Sequence, residues 1–252
     1  MRAAVMLLAG LLASGCVPVG FAPLPAPPRS DATLPPAQPT FDAVPTPEAA
    51  ARTFVAVVER VEPVAEALCR ARRADGNCDL QIVVDGRPGA PPNAFQTIDR
   101  AGRPIVGFTI ALIADARNAD EIAFVLGHES AHHISGHIPR ARENAATGAI
   151  LAGVLAAASG AGPREVERAQ AFGAEMAVRS YSRDFELEAD ALGTEIALLA
   201  GFDPVRGAAF FSRLPDPGDR FLGTHPPNAE RQALVRAVAA RLRQTAGASF
   251  SP

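Results

Sequence analysis

The ten residues from His128 to His137, HESAHHISGH, hold four of the chain's five histidines and set an acid beside the first. Upstream stand Asn118-Ala119-Asp120-Glu121, a capping side chain followed three positions later by an acid, and then the apolar Ile122, Val125 and Leu126. This pattern predicts a helix opening at Asn118 and closing at Pro139. Helical residues four apart stand one turn above each other, so His128 and His132 point the same way and can grip one ion, with Glu129 beside it. The pattern, HExxH, constrains the fold because the ion needs a third ligand from elsewhere in the chain. His133 is turned about 100° round the helix from His132. His137 lies five residues beyond His132, and neither is expected to be a ligand.

The stretch YSRDFELEADALG, residues 181–193, offers the missing group. On a predicted helix Glu186 and Asp190 share a face, whereas Glu188 is turned away. Glu186 is the expected third ligand. Asp190 is placed to accept the free N–H of a zinc-bound histidine, fixing its tautomer and raising its basicity. Zinc held by three protein ligands keeps a position for water, brings that water's pKa towards neutrality and polarises a peptide carbonyl. Glu129 is then the expected base, taking the water's proton and passing it to the leaving amine. One Zn2+ per chain is the expected cofactor.

Around these motifs the reading is of one α+β domain, mostly helical with a small sheet. Thr46-Pro47-Glu48 marks a helix start. Apolar residues recur from Phe54 to Leu68, with Pro63 expected to kink or split that helix. Strands are expected at Leu80 to Val84 and Pro104 to Ile110. The uncharged, small-residue stretch 145–162 reads as a helix buried against the body or resting on lipid, since Gly and Ala supply little transfer energy for spanning a bilayer. Further helices are expected from Arg164 to Arg179, from Arg183 to Ala200 after a Ser182 cap, from Pro204 to Leu214 and from Asn228 to Gln244. The net charge of −3 gives no electrostatic case for nucleic acid.

The N-terminus, MRAAVMLLAGLLASGC, has one basic residue and an apolar run too short to span a bilayer. Leu12-Ala13-Ser14-Gly15-Cys16 resembles the lipobox of bacterial lipoproteins, which implies cleavage before Cys16 and its lipidation; an ordinary cleaved signal with a free Cys16 is the alternative. The expected organisation is a signal peptide over 1–15, a lipidated Cys16 with a Pro-rich tether over 16–47, a catalytic domain over 48–246 and a short tail over 247–252. With Cys16 lipidated, Cys69 and Cys78 remain as a pair in an exported, oxidising compartment, where a disulfide is expected. The eight residues between them do not match a zinc knuckle.

From about Ala90 to Arg231 the chain resembles the CAAX-prenyl-protease-like HExxH zinc metallopeptidases. Their bacterial relatives include membrane heat-shock proteases and periplasmic lipoprotein proteases of outer-membrane quality control. The resemblance rests on Pro92-Asn93-Ala94-Phe95, on DEIAFVLGHESAHHISGH from Asp120, on SRDFELEADALG from Ser182 and on THPPNAER from Thr224. It implies a gluzincin-like domain with a small sheet flanking the HExxH helix, zinc on His128, His132 and Glu186, Glu129 as base and Asp190 behind the ligands. It further implies that His225 and Arg231 border the site and stabilise the oxyanion. Asn93, Ala94 and Phe95 lead into a sheet edge to which an extended substrate adds as a strand. The chain departs from the family after Phe95, where QTIDRAGRPIVGFTIALI replaces a Pro-Gly turn and Gly-Leu-Leu run.

The expected function is hydrolysis of peptide bonds in misfolded or stalled envelope proteins, at the periplasmic face of a bacterial membrane, with Val17 after Cys16 favouring the outer one. A periplasmic chaperone or assembly factor, its zinc site structural or latched by His225, is the competing reading. A purely structural site has no use for Glu129.

Overall fold

A computed structural model describes residues 44–73, 76–213 and 228–248. Helix α1 spans Pro47–Arg72; the Thr46 hydroxyl accepts from the Ala49 N–H at 3.3 Å, and Pro47 stands at the first helical position. Phe54, Val57, Val61, Ala65 and Leu68, three or four residues apart, form its buried stripe. Pro63 does not split the helix. It lies on the exposed face, where water can satisfy the carbonyl left without its partner. Cys69, in the last turn, is joined to Cys78 by a disulfide with the Cα atoms 5.6 Å apart, tying α1 to the start of the sheet.

The sheet has three strands, β1 (Gln81–Asp85), β2 (Ala94–Ile98) and β3 (Pro104–Thr109), in the order β1-β3-β2. β3 is central, parallel to β1 (Val83 opposite Gly107) and antiparallel to β2 (Phe95 opposite Gly107). The Phe95 ring lies across Gly107, where any Cβ would strike it. Val106 and Phe108 enter the core, Phe108 edge-on to Phe54 at 5.2 Å. Thr109 ends the sheet and caps α2 (Ile110–Asp115), its hydroxyl accepting from Leu112 N–H at 3.2 Å and Asn93 N–H at 2.9 Å. One side chain therefore fixes both that helix and the start of the edge strand.

Helix α3 (Ala119–Ile134) runs through the middle, packed by α1, by β2, by α5 (Pro163–Leu199) and by the short α6 (Pro204–Gly207). Along it only Glu129 and His132 keep partial exposure. Its start follows expectation, with the Asn118 side chain accepting from Glu121 N–H at 3.0 Å. Its end does not. α3 stops at Ile134, Gly136 takes a left-handed φ of 65°, and α4 (His137–Ala158) begins at once. Pro139 falls in the first turn of α4, where a missing N–H costs nothing.

Two further expectations are corrected. α5 is one continuous helix, not two meeting at Ser182; no glycine or proline lies between Gly173 and Gly193 to interrupt it. For the stretch 145–162 the first of the two expected placements, burial against the body, is not what the structure shows. α4 pairs along α5 as a hairpin, with Gly148 against Gly173 at close backbone approach, while Ile150, Leu151, Val154 and Leu155 stand 63–70% exposed. No described helix is long and apolar enough to cross a membrane. After α6 and a 3-10 turn over Ala208–Arg213, α7 (Asn228–Ala248) packs on α5, and Arg183 pairs with Glu230.

Candidate metal centre

Two helices distant in sequence supply the site, and two glycines let them meet. A Cβ on Gly127 would lie 2.9 Å from the Gly193 carbonyl oxygen, and one on Gly193 would lie 2.8 Å from the His128 nitrogen. Those contacts are with backbone, which cannot swing aside, so α3 and α5 touch where neither residue has a side chain. His128 stands at this crossing, and within two turns of it His132 and Glu186 converge on it. The two Nε2 atoms are 3.1 Å apart, and each is 3.5 Å from a Glu186 carboxylate oxygen.

The donor set fits a divalent transition ion. Among the described residues these three form the group able to hold a metal, their ligand atoms all within 4.8 Å of one another. Tetrahedral ligands about 2.0–2.1 Å from zinc stand roughly 3.3 Å apart, close to the spacings seen. Two imidazoles and one carboxylate make three protein ligands, a number that leaves a position for a reacting group.

Behind His128 stands Asp190, fully buried at 0% exposure. Its Oδ1 accepts from His128 Nδ1 at 3.0 Å, and Arg231 donates to both its oxygens, Nε to Oδ2 and Nη2 to Oδ1, at 2.7 Å each. Burial would raise the Asp190 pKa, but the bonds from Arg231 and His128 outweigh it and hold the carboxyl below its usual range. Arg231 is itself clamped, its guanidinium 3.8 Å over the Phe211 ring and 3.3 Å from Glu186. Burial likewise works against a charged His128; hydrogen bonds that it donates to Asp190 and Glu186 overcome it and push the imidazole up to about 10. His132 goes the other way, lowered to about 3 by burial and then by the His128 charge.

Glu129 projects beside this cluster. Burial first, then the Glu186 charge, lifts its carboxyl to about 7, against the pull of His128 and Arg231. It lines two cavities that flank it. The larger, about 440 Å³, takes in Asn93, Ala94, Phe124, Phe211 and Arg231; the smaller, about 280 Å³, takes in Gln96, His137, Val178 and Phe185. Ala94 and Gln96 alternate along β2, so the edge strand passes from one cavity to the other. Phe95 points to the opposite face, onto Gly107.

Other residues singled out in the sequence fall as follows. Arg231 lines the larger cavity. His225 and Cys16 lie outside the described residues. His133 is buried but faces away, its Nε2 2.7 Å from the Asn77 carbonyl oxygen. Glu188, turned from the metal cluster, is engaged by His137 at 3.2 Å and Arg140 at 2.7 Å, which hold its carboxyl down at about 2. Sequence reasoning missed Gly127 and Gly193, which no periodicity marks, and the Phe211 ring under Arg231.

Comparison with known proteins agrees with this geometry. Over 124 residues, 46% of this chain and 25% of that protein, the sequence is 36% identical to a Vibrio cholerae serotype O1 (strain ATCC 39315 / El Tor Inaba N16961) protein named "Putative beta-barrel assembly-enhancing protease". The chain thus spans well under two thirds of that relative's length. The description "Peptidase family M48" matches residues 56–239, which take in both ligand helices, the edge strand and Arg231. The chain belongs to peptidase family M48, a family of metallopeptidases.

Proposed function

We propose that the chain is a zinc-dependent endopeptidase acting on misfolded or stalled proteins of the bacterial cell envelope. The observation that carries the proposal is the convergence of His128, His132 and Glu186 with a half-buried carboxyl, Glu129, beside them in an open cleft. Zinc, when bound by those three residues, supplies the Lewis acidity that polarises a peptide carbonyl and acidifies water. The protein's own groups do the rest. Glu129, which stands beside the three ligands and lines the cleft, takes a proton from the attacking water and delivers it to the departing amine. Asp190 keeps the Nδ1 proton of His128 in place, so that Nε2 carries the lone pair. Arg231, at the rim of the same cavity, and His225 provide positive or donor groups for the oxyanion.

An extended polypeptide pairs with the outer edge of β2, held through the backbone groups of Ala94 and Gln96, since those of Asn93 are already bonded to Thr109. Backbone pairing is indifferent to most side chains, which suits unfolded substrates. The envelope setting is supported by the lipobox-like residues before Cys16 and by the name of the Vibrio relative, which concerns β-barrel assembly. In this reading lipidated Cys16 and the Pro-rich tether hold the domain at the periplasmic side of the outer membrane.

The test is casein cleavage by the purified protein, with and without a zinc chelator, alongside Glu129→Gln. The expected result is cleavage that the chelator abolishes and zinc restores, and a loss of about 10²–10⁴-fold in Glu129→Gln. Equal cleavage by Glu129→Gln and wild type would overturn the proposal.

A further inference from the structure

His137 has no part in the metal set, yet it is buried at 4% exposure against the outer side of one ligand. Its Nδ1 lies 2.7 Å from His132 Nδ1, while its Nε2 lies 3.2 Å from Glu188 Oε2. Glu188 also accepts from Arg140 at 2.7 Å. The ring of His137 is stacked on Phe185, with centroids 4.4 Å apart and planes within 9°, and the Arg140 guanidinium lies 4.5 Å from the same Phe185 ring. Stacking fixes the plane of the imidazole, and the carboxylate fixes its rotation within that plane.

The donors and acceptors in this row can be assigned in only one consistent direction. His132 Nε2 faces His128 and Glu186, so a metal-binding His132 must carry its proton on Nδ1. That N–H needs an acceptor. The only ring atom of His137 in reach is Nδ1, which must then hold a lone pair and leave the proton on Nε2. That proton meets the Glu188 carboxylate. On an unbroken helix residues five apart would diverge; the left-handed Gly136 and the restart at α4 turn His137 back onto His132.

We propose that His137, held by Glu188 and Arg140, is the positioning residue for His132, an imidazole inserted between a ligand and its supporting carboxylate. The inference rests on the metal assignment given under Proposed function. Each ligand histidine is then backed by an acid and an arginine: His128 directly by Asp190 with Arg231, His132 through His137 by Glu188 with Arg140. The neighbouring His133 makes no such link and is the natural comparison.

The experiment measures the zinc dissociation constant by chelator competition, and the visible absorption of the cobalt-substituted protein, in wild type, His137→Phe, His137→Asn, Glu188→Ala and His133→Phe. His137→Phe keeps the stacked ring and removes the acceptor. It is expected to weaken zinc by about 10–100-fold, the usual effect of losing such a partner, and to shift the cobalt bands. His137→Asn, whose Oδ1 can stand near the Nδ1 position, is expected to recover most of that loss. Glu188→Ala, at a partly exposed position, is expected to weaken zinc by a smaller factor and decides the matter should His137→Phe fail to fold. His133→Phe is expected to leave zinc affinity and cobalt bands as in wild type. The relay is overturned if folded His137→Phe, or failing it Glu188→Ala, binds zinc within twofold of wild type with the same cobalt spectrum. It is also overturned if His133→Phe weakens zinc equally. A wild-type protein that binds no zinc would sink the metal reading itself; unchanged variants of a zinc-binding wild type would remove the relay alone.

Discussion

Removing one guanidinium would tell how the site is held. Arg231 makes two 2.7 Å bonds to a carboxylate that has no exposure to water, so Arg231→Met leaves Asp190 charged and buried, still bonded to His128. Breaking one side of a buried pair costs about 3–5 kcal/mol. The expected outcome in urea unfolding is a loss of that order, and Arg231→Lys should recover little of it because an ammonium cannot reproduce the two-pronged bond. Near-wild-type stability in Arg231→Met would refute this account of Asp190. At this scale the sequence made the candidate metal cluster legible, since i,i+4 spacing alone puts His128 over His132 and Glu186 over Asp190. It concealed Glu188 and His137. Helical spacing describes one element, whereas their partners lie on another, and the break at Gly136 that brings His137 round was masked by a proline that suggested a later end.

Between elements the decisive contacts are made by residues without side chains. Gly127 meets Gly193 where the ligand helices cross, and Gly148 meets Gly173 in the α4–α5 hairpin. Both pairs allow backbones to approach, but only the first sets the distance from His128 to Glu186. Gly193→Ala is therefore expected to part α3 from α5, lowering stability by about 1–3 kcal/mol and weakening zinc as well. Gly148→Ala is expected to loosen the hairpin, seen as faster amide exchange in α4 and α5, with zinc affinity kept. Zinc affinity that falls equally in both, or in neither, would contradict the division. Helix positions were largely legible from caps and apolar spacing, as at Asn118 and Thr46. The hairpin was not: a run of small uncharged residues fits a buried helix as well as an exposed one, and only the position of α5 decides which faces are covered.

For the whole molecule, α3 serves both as core and as a support of the candidate metal site. It is buried on nearly every side yet opens Glu129 and His132 to a cleft that β2 borders. The mostly helical fold with a small sheet could be read from the sequence, as could the disulfide that ties α1 to that sheet. Strand order could not, because β1 and β2 are both short and partly exposed and their pairing with β3 is settled by packing. The central claim is that α3 and α5 together make one metal site, and zinc titration of Glu186→Ala beside wild type and Glu129→Gln tests it most directly. The account predicts one zinc per chain in wild type and in Glu129→Gln, and in Glu186→Ala a loss exceeding the roughly 10–100-fold expected for a supporting residue. A Glu186→Ala protein that binds one zinc as tightly as wild type would contradict it.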